Sequence, residues 1–209
     1  LSKVASTLPT GTVIYTYHQT AGRGQKGNSW ESEPGKNLLF SILLCPDYVS
    51  AGQQFCISEA ISLAAVHAAK NLSCNAAKPF FSIKWPNDIY WKEKKIAGIL
   101  IENELRGTSI SKCVIGVGMD VNQKVFHSNA PNPASLININ GTLTDRDRLL
   151  QEIMNIFMEN CIALSTRGTG CLHKEYMQML FRHDGFHPYR DKNGLFSARI
   201  EQVETDGHL

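Results

Sequence analysis

The segment KWPNDIYWKEKKIAGILIE, residues 84–102, decides the fold of this chain. Two runs rich in β-branched and aromatic residues, Ile89–Trp91 and Ile96–Glu104, flank the charged tip KEKK at 92–95, which predicts a β-hairpin. Pro86 disfavours helix at the preceding residue and therefore separates this hairpin from another strand, Phe80–Trp85. The intervening turn is expected to present Lys84, Asn87 and Asp88 together, with Lys95 across the hairpin.

Outward from the hairpin, the pattern predicts more strands and then helices. Strands are expected at Thr12–His18, Asn37–Cys45 and Lys112–Asp120. Helical spacing of apolar residues predicts helices at Ser50–Asn71, with Ser50 as its cap, at Thr144–Leu164 and at Leu172–Phe181, with a Pro/Asn-rich loop at 129–140. The turn Asn193-Gly194 introduces a last β region. The fold class is α+β, with a mixed β-sheet packed on helices.

Composition limits the classes of protein that fit. A length of 209 residues suits one large domain plus a small appendage, and 43% hydrophobic against 19% charged residues is enough for a core. The net charge of +2 gives no global field, so anions must be bound by local clusters. No apolar run approaches the ~20 residues of a membrane span, and the first residues do not resemble a signal peptide. The six cysteines form no CxxC pair, which indicates reduced thiols and a cytoplasmic location.

Three segments carry candidate chemistry. In AGRGQKGNSW, residues 21–30, glycines allow close backbone approach to a phosphate, while Arg23 and Lys26 supply charge and Trp30 a stacking surface. The alternative is a mobile surface loop, since Gly-rich loops alone are weak signals. In GVGMDVN, residues 116–122, strand glycines suggest close approach of a ligand, or simply tight strand packing.

The hairpin is the third segment. Its border lysines, Lys84 and Lys95, are either solvated, as in many structural hairpins, or directed inward to an anion, with Asp88 holding magnesium beside substrate phosphates. Together with Arg23 and Lys26, these cations could hold a carboxylate against a triphosphate, which repel each other. That arrangement is what acyl adenylation requires, because positioning and charge neutralisation supply most of its rate.

The stretches HQTAGRGQKGNSW, KWPNDIYWKEKKIAGILIE and IGVGMDVN, in this order within Thr12–Asn122, resemble biotin protein ligases (biotin–[acetyl-CoA-carboxylase] ligases). The resemblance implies a catalytic domain of the class II aminoacyl-tRNA synthetase/biotin ligase type at residues 1–184. It also implies a partial SH3-like β domain at 185–209. The implied reaction joins biotin and ATP, with Mg²⁺, to give biotinoyl-5′-AMP and pyrophosphate. A lysine of a biotin carboxyl carrier domain then takes the biotin.

The same resemblance assigns roles to individual residues. Lys95 would bridge the biotin carboxylate and the α-phosphate as the main catalytic residue, assisted by Arg23, Lys84 and the magnesium ligand Asp88. The biotin site would comprise Gln19, Gly22, Arg23, Gly24, Gln25, Lys95, Gly98, Leu100, Gly116 and Gly118. The ATP site would comprise Arg23, Lys26, Trp30, Lys84, Asn87 and Asp120.

The chain departs from the family pattern at several positions. Gln25 and Asn28 stand where the loop usually carries arginines, which predicts weaker retention of the adenylate. Asp120 stands where asparagine is usual, and its charge would repel phosphates unless it binds metal. The family's upstream Ser-Thr-Asn segment is absent from this sequence.

Two other functions compete with biotin ligation. A lipoate–protein ligase shares the adenylate chemistry, but its Arg-Arg-x-Ser-Gly-Gly-Gly stretch is missing. A non-catalytic biotin-sensing regulator would have no need of Lys84, Asp88 and Lys95. The sequence shows no basic recognition helix, so we expect no DNA binding, and no membrane contact. The carboxylase that accepts biotin and the oligomeric state, a homodimer included, stay open.

Overall fold

The protein is described by a computed structural model that covers residues 7–73, 80–128 and 130–209, without the side chain of Lys26. The strands are β1 Val13–Thr16, β2 Gly22–Arg23, β3 Ser29–Trp30, β4 Leu38–Leu44, β5 Phe81–Lys84, β6 Asp88–Trp91, β7 Lys94–Arg106, β8 Ser109–Met119, β9 His187–Asp191 and β10 Gly194–Ala198. The helices are α1 Phe55–Asn71, α2 Leu136–Asn140, α3 Arg146–Arg167 and α4 His173–Gln178.

A six-stranded sheet in the order β1-β4-β8-β7-β6-β5 forms the centre of the molecule. All its ladders are antiparallel, so the expected mixed sheet is corrected. In the described ranges, parallel pairing occurs only as isolated bridges, Ile83 with Leu180 and Lys95 with Pro133. The physical reason is that β5 to β8 follow one another through short turns, and such hairpins can only pair antiparallel strands.

The core lies between one face of this sheet and the helices. Helix α1 packs against α3 and β5, and among its residues only His67, Lys70 and Asn71 escape burial. On β7 and β8 the core face alternates with a second face: Ile99, Ile115 and Val117 are buried, and the residues between them are not. Burial of these apolar side chains stabilises the sheet and leaves its other face available for a site.

Several predicted boundaries change. Helix α1 begins at Phe55, because Ala51–Gln53 form a separate 3₁₀ turn and the Ser50 side chain caps neither element. Instead, Ser50 Oγ donates a hydrogen bond to Gln53 Oε1. The 129–140 region, expected to be loop, contains α2, since Ser135 and Asn138 form a capping box there. The predicted strands and other helices are present with ends shifted by a few residues.

Beyond the main sheet, β9 and β10 pair only with each other as a small hairpin. The predicted turn lies at its tip but is shifted by one residue: Lys192 and Asn193 form the turn, and Gly194, with a positive φ of 122°, begins β10 opposite Asp191. No described helix combines the length and the apolar character needed to cross a bilayer. The thiols of Cys45, Cys56, Cys113, Cys161 and Cys171 are free, and Cys74 lies outside the described residues.

Candidate active site

A cavity of about 400 Å³ lies on the sheet face opposite the core. Its floor is made by cross-strand neighbours of β7 and β8, since Gly98 lies opposite Gly118 and Leu100 opposite Gly116. Because glycine has no side chain, a ligand can lie directly on the backbone here. We call this the glycine-floored cavity. The predicted residues that line it are Gln19, Arg23, Gly24, Gln25, Trp30, Asn87, Asp88, Lys95, Gly98, Leu100, Gly116 and Gly118.

A β-bulge directs Lys95 to this face. Ile89 of β6 pairs with Ala97 but the next residue, Tyr90, pairs with Lys95, so Ile96 is an extra residue on β7. Ile96 and Ala97 are accordingly both buried, although they are consecutive in a strand. In regular alternation Lys95 would share the core face with Ala97; the bulge places it on the same face as Gly98.

Lys95 and Asp88 lie between the glycine-floored cavity and a neighbouring one. Lys95 Nζ is 2.7 Å from Asp88 Oδ1, and both residues are largely shielded from solvent. They and Trp30 line a second cavity of about 430 Å³, to which Lys84, Tyr90 and Asp120 also contribute. We call this the acidic cavity, after Asp88 and Asp120. A molecule that reached across from one cavity to the other would pass Lys95.

The turn at Pro86 brings Lys84 and Asp88 together, as predicted, because these residues pair across it. Lys84 Nζ donates a hydrogen bond to Tyr90 Oη at 3.1 Å and lies 4.9 Å from the centre of that ring. Asn87 points elsewhere: its Nδ2 donates to the Ile99 carbonyl, and it lines the glycine-floored cavity. The turn therefore supplies one cation to the acidic cavity and one amide to the other.

The glycine-rich loop closes the glycine-floored cavity from the side. It contains a short hairpin, β2 with β3, in which Gly22 lies opposite Trp30. A Cβ on Gly22 would lie 2.6 Å from the Trp30 carbonyl oxygen, so close approach requires glycine there. No strand was predicted in this loop from the sequence, and these backbone pairings add two short ones.

Arg23 extends from this loop to Glu102 on β7, with Nη1 to Oε1 at 3.3 Å and Nη2 to Oε2 at 3.1 Å. The two side chains are 69% and 44% exposed, and exposed ion pairs contribute only about 0–1 kcal/mol. The guanidinium can therefore leave Glu102 for a bound anion at small cost. Arg23 and Lys95 meet at the glycine-floored cavity, whereas Lys84 meets Lys95 at the acidic cavity.

The indole of Trp30 lies on the glycine floor. A Cβ built on Gly118 would lie 2.6 Å from Trp30 Cε2, and one on Gly98 would lie 3.1 Å from Trp30 Cζ3. Trp30 Nε1 is buried and has no hydrogen-bond partner among the described residues. Buried donors are normally paired, so this N–H is available to a bound molecule.

Asp120 is only 4% exposed at the edge of the acidic cavity. Burial, together with the charge of Glu31, raises the pKa of this carboxyl well above its usual range, and Lys95 acts in the opposite direction. Asn37 Nδ2 donates a hydrogen bond to Asp120 Oδ1 at 2.9 Å. Asp120, which stands where the family pattern usually has asparagine, is therefore a buried acid whose neutral form is favoured in the ligand-free protein.

Two residues of the acidic cavity, Tyr90 and Glu31, were not predicted from the sequence, and neither was Glu102, the ion-pair partner of Arg23. Tyr90 lies two positions after Asp88 on β6, and the two-residue period of a strand could have identified it. Glu102 and Glu31 gave no local signal, because their partners are distant in sequence. Of the predicted site residues, Lys26 has no described side chain, and Gly22 supports the loop without lining the glycine-floored cavity.

Comparisons with known proteins agree with this geometry. The model of the biotin/lipoate A/B protein ligase family matches residues 3–120. The chain is 33% identical over 205 residues to the bifunctional ligase/repressor BirA of Bacillus subtilis, covering 96% of this chain and 61% of that protein. It is 28% identical over 171 residues to the biotin--[acetyl-CoA-carboxylase] ligase of Paracoccus denitrificans, covering 79% and 69% of the two chains.

The fold is also similar to that of a solved biotin protein ligase from Aquifex aeolicus in complex with biotin and ATP. The TM-score is 0.80 at 24% identity, over 99% of this chain and 84% of that one. The chain spans about three-fifths of the Bacillus relative's length. The resemblance of the three sequence motifs is thereby confirmed, and the chain belongs to the biotin/lipoate A/B protein ligase family.

Proposed function

We propose that this chain is the catalytic domain of a biotin–protein ligase. It would activate biotin with ATP to biotinoyl-5′-AMP and then transfer the biotin to a lysine of a biotin carboxyl carrier domain. Relatives with ligase names and a similar structure that holds biotin and ATP support this proposal. The observation that carries it is the position of Lys95 between two adjoining cavities of different character.

The glycine-floored cavity suits the ring system of biotin, because Gly116 leaves part of its floor open beyond the Trp30 indole and its walls include Phe40, Val117 and Leu100. The acidic cavity suits the nucleotide, because Trp30 offers a flat apolar face and Lys84 a cation. The biotin carboxylate and the α-phosphate would then meet beside Lys95. Of the predicted biotin ligands, all but Gly22 line the first cavity; of the ATP ligands, Trp30, Lys84 and Asp120 line the second.

The proposed reaction has two steps. In the first, a biotin carboxylate oxygen attacks the α-phosphorus of ATP and the bond to pyrophosphate breaks. In the second, the amine of the carrier lysine attacks the acyl carbon, AMP leaves with the electron pair of the broken bond, and the amine's proton passes to solvent. Two unit charges at ~4 Å repel by about 1 kcal/mol in water and about 4 kcal/mol near a protein surface. Lys95, held by Asp88, would offset that repulsion where the anions approach.

Magnesium fits the residues of the acidic cavity. Mg²⁺ is commonly bound by one or two carboxylates together with substrate phosphates, and Asp88 and Asp120 both line this cavity. Among the described residues no group of three acidic, cysteine or histidine side chains forms a metal cage by itself. We therefore propose Asp88, with Asp120, as the protein's ligands to a nucleotide-bound magnesium ion, which would neutralise phosphate charge.

The remaining parts of the proposal concern organisation. Residues 1–184 would be the catalytic domain and 185–209 part of an SH3-like domain, which is supported by β9 and β10 pairing only with each other in the described chain. The protein partner would be the carrier domain of a biotin-dependent carboxylase. Cytoplasmic residence stays a prediction from the cysteine pattern.

The proposal is tested by pyrophosphate release with biotin, ATP and magnesium. We expect Lys95→Ala to lower kcat/KM for adenylation by about 10²–10³-fold, the usual effect of losing one electrostatic contact to a developing charge. Lys94→Ala is the matched control, because Lys94 is the preceding residue of β7 and is exposed to solvent. Mass spectrometry of a carrier-domain peptide would follow the second step.

Other outcomes would select the competing functions. Pyrophosphate release that depends on lipoate instead of biotin would identify a lipoate ligase. The biotin/lipoate A/B protein ligase family includes such enzymes by name. Biotin binding without pyrophosphate release would identify a regulator. Equal activities of the Lys95→Ala and Lys94→Ala variants would refute the role of Lys95.

A further inference from the structure

The carboxylate of Glu31, the residue after Trp30, joins the glycine-rich loop to the segment 123–128. Glu31 Oε1 accepts hydrogen bonds from the backbone N–H of His127 at 2.9 Å and from Gln123 Nε2 at 3.2 Å. Glu31 Oε2 accepts one from the backbone N–H of Ser128 at 2.7 Å. We call these three contacts the Glu31 clamp. They connect parts of the chain that lie 92–97 residues apart.

The clamp is anchored to a buried hydrogen-bond network. Gln123 is 1% exposed, and its Oε1 accepts from the Glu33 backbone N–H at 2.9 Å and from Asn37 Nδ2 at 2.6 Å. The same Asn37 amide group donates to Asp120, at the edge of the acidic cavity. A continuous set of hydrogen bonds thus runs from Glu31 to Asp120, and buried networks with satisfied partners are rigid.

The charge of Glu31 is maintained in this setting. Partial burial raises the pKa of its carboxyl, but the hydrogen bonds from Ser128 and His127 outweigh burial and hold the pKa below its usual range. The carboxylate is therefore ionised at neutral pH. Hydrogen bonds to an ionised acceptor are about twice as strong as neutral ones, so these contacts restrain the end of the loop firmly.

The acidic cavity is bounded by the two parts that the clamp joins. Trp30 and Glu31 form one wall, and Ser128, Ala130 and Pro131 form another. If the clamp opened, the residue after Trp30 would lose its attachment to the 123–128 segment and the two walls could separate. The far end of the glycine-floored cavity, at Gly116 and Leu100, has no part in these contacts.

We propose that Glu31 is a positioning residue for the nucleotide: it holds Trp30 and the 123–128 segment together around the acidic cavity and thereby retains the adenylate. This rests on the proposed function of the two cavities. Biotin alone would need no clamp, because its floor belongs to β7 and β8 and because the pairing with Gly22 and the contact with Gly118 hold Trp30 on that floor independently of Glu31. The clamp therefore acts on ATP and adenylate and spares biotin, which a general effect on folding would not do.

The test compares Glu31→Ala and Glu31→Gln with Glu33→Gln in the full chain. Glu31→Ala removes all three contacts, and Glu31→Gln keeps the side-chain volume if the alanine variant folds poorly. Glu33 is exposed on the same loop and contacts Gln123 through its backbone only, so its variant is the matched control. Hydrogen exchange at the amides of His127 and Ser128, measured without ligand, reports the clamp itself. The KM values for ATP and biotin and the dissociation rate of biotinoyl-5′-AMP report its effect.

We expect faster exchange at both amides in the Glu31 variants, together with about tenfold faster adenylate release and about tenfold higher KM for ATP. The KM for biotin and all values for Glu33→Gln should stay at wild-type levels. Faster exchange with unchanged release and KM would overturn the proposal, as would unchanged exchange or equal increases in both KM values. A wild-type protein that forms no adenylate would instead refute the proposed function, and this inference with it, while exchange at 127–128 could still show the clamp.

Discussion

Replacing Gly118 with alanine should test whether Trp30 covers the glycine floor. The added Cβ would lie 2.6 Å from Trp30 Cε2 and 2.7 Å from Trp30 Nε1, distances that real Cβ contacts do not reach. The indole would have to leave its place. Gly116→Ala is the matched control two residues along the same strand face, because the atom nearest to its added Cβ, the Leu100 carbonyl oxygen, would lie at an ordinary 3.6 Å.

The magnitudes follow from these distances. Forcing a large side chain out of a packed position typically costs about 1–3 kcal/mol, and 1 kcal/mol shifts Tm by about 2–4 °C for a chain of this size. We therefore expect Gly118→Ala to lower Tm by about 2–12 °C without ligand. Gly116→Ala should change it by no more than about 2 °C, since small changes in open space stay within ~0.5 kcal/mol.

Thermal unfolding in the absence of ligand measures this difference, and titration calorimetry with biotin complements it. Both methyl groups project over the proposed biotin floor, so both variants should bind biotin more weakly than wild type. Equal Tm values for the two variants would show that Trp30 does not rest on Gly118 in solution. Unchanged biotin affinity in both would refute the assignment of the glycine-floored cavity to biotin.

Two further predictions concern the departures from the family pattern. Asp120→Asn should stabilise the protein at neutral pH, because the raised pKa of the Asp120 carboxyl means that stability falls as pH rises from ~4, where this carboxyl ionises in the unfolded chain, through the folded pKa. Denaturant titrations should show this gain disappearing at acidic pH, and parallel pH profiles for the two proteins would contradict it. Gln25→Arg should slow the release of biotinoyl-5′-AMP, since Gln25 lines the glycine-floored cavity and arginine would add a cation there; an unchanged rate in a stopped-flow chase would show that position 25 does not touch the adenylate.

Much of the fold was predictable because its signals are local. The charged tip at 92–95 and the turn at Pro86 define the hairpins, and the alternation of apolar residues in β8 predicts which face is buried. The same local signals placed Lys84, Asp88 and Lys95 around one hairpin, whereas the resemblance to biotin protein ligases placed Gly98, Gly116 and Gly118 beside Lys95. The prediction of a mixed sheet was wrong. The direction in which strands pair depends on the whole topology and not on any single segment, so local signals did not define it.

Other features depend on contacts between distant segments. The ion pair of Arg23 with Glu102 and the hydrogen bonds of Glu31 join residues 79 to 97 positions apart, and no periodicity announces them. The position of Trp30 over Gly118 likewise follows from how the loop folds back on the sheet. A buried Asp120 could be recognised as unusual from its residue type, but its effect on the pKa depends on burial that only the structure defines.

The surplus residue Ile96 has a consequence for how this protein tolerates changes in length. Removing it would make β6 and β7 a regular ladder in which Ala97 alone separates Lys95 from Gly98, so the amine would stay on the cavity face while the core would lose a fully buried isoleucine. Ile96 thus adds a second consecutive side chain to the core, and the bulge keeps this addition from turning Lys95 away from the glycine-floored cavity.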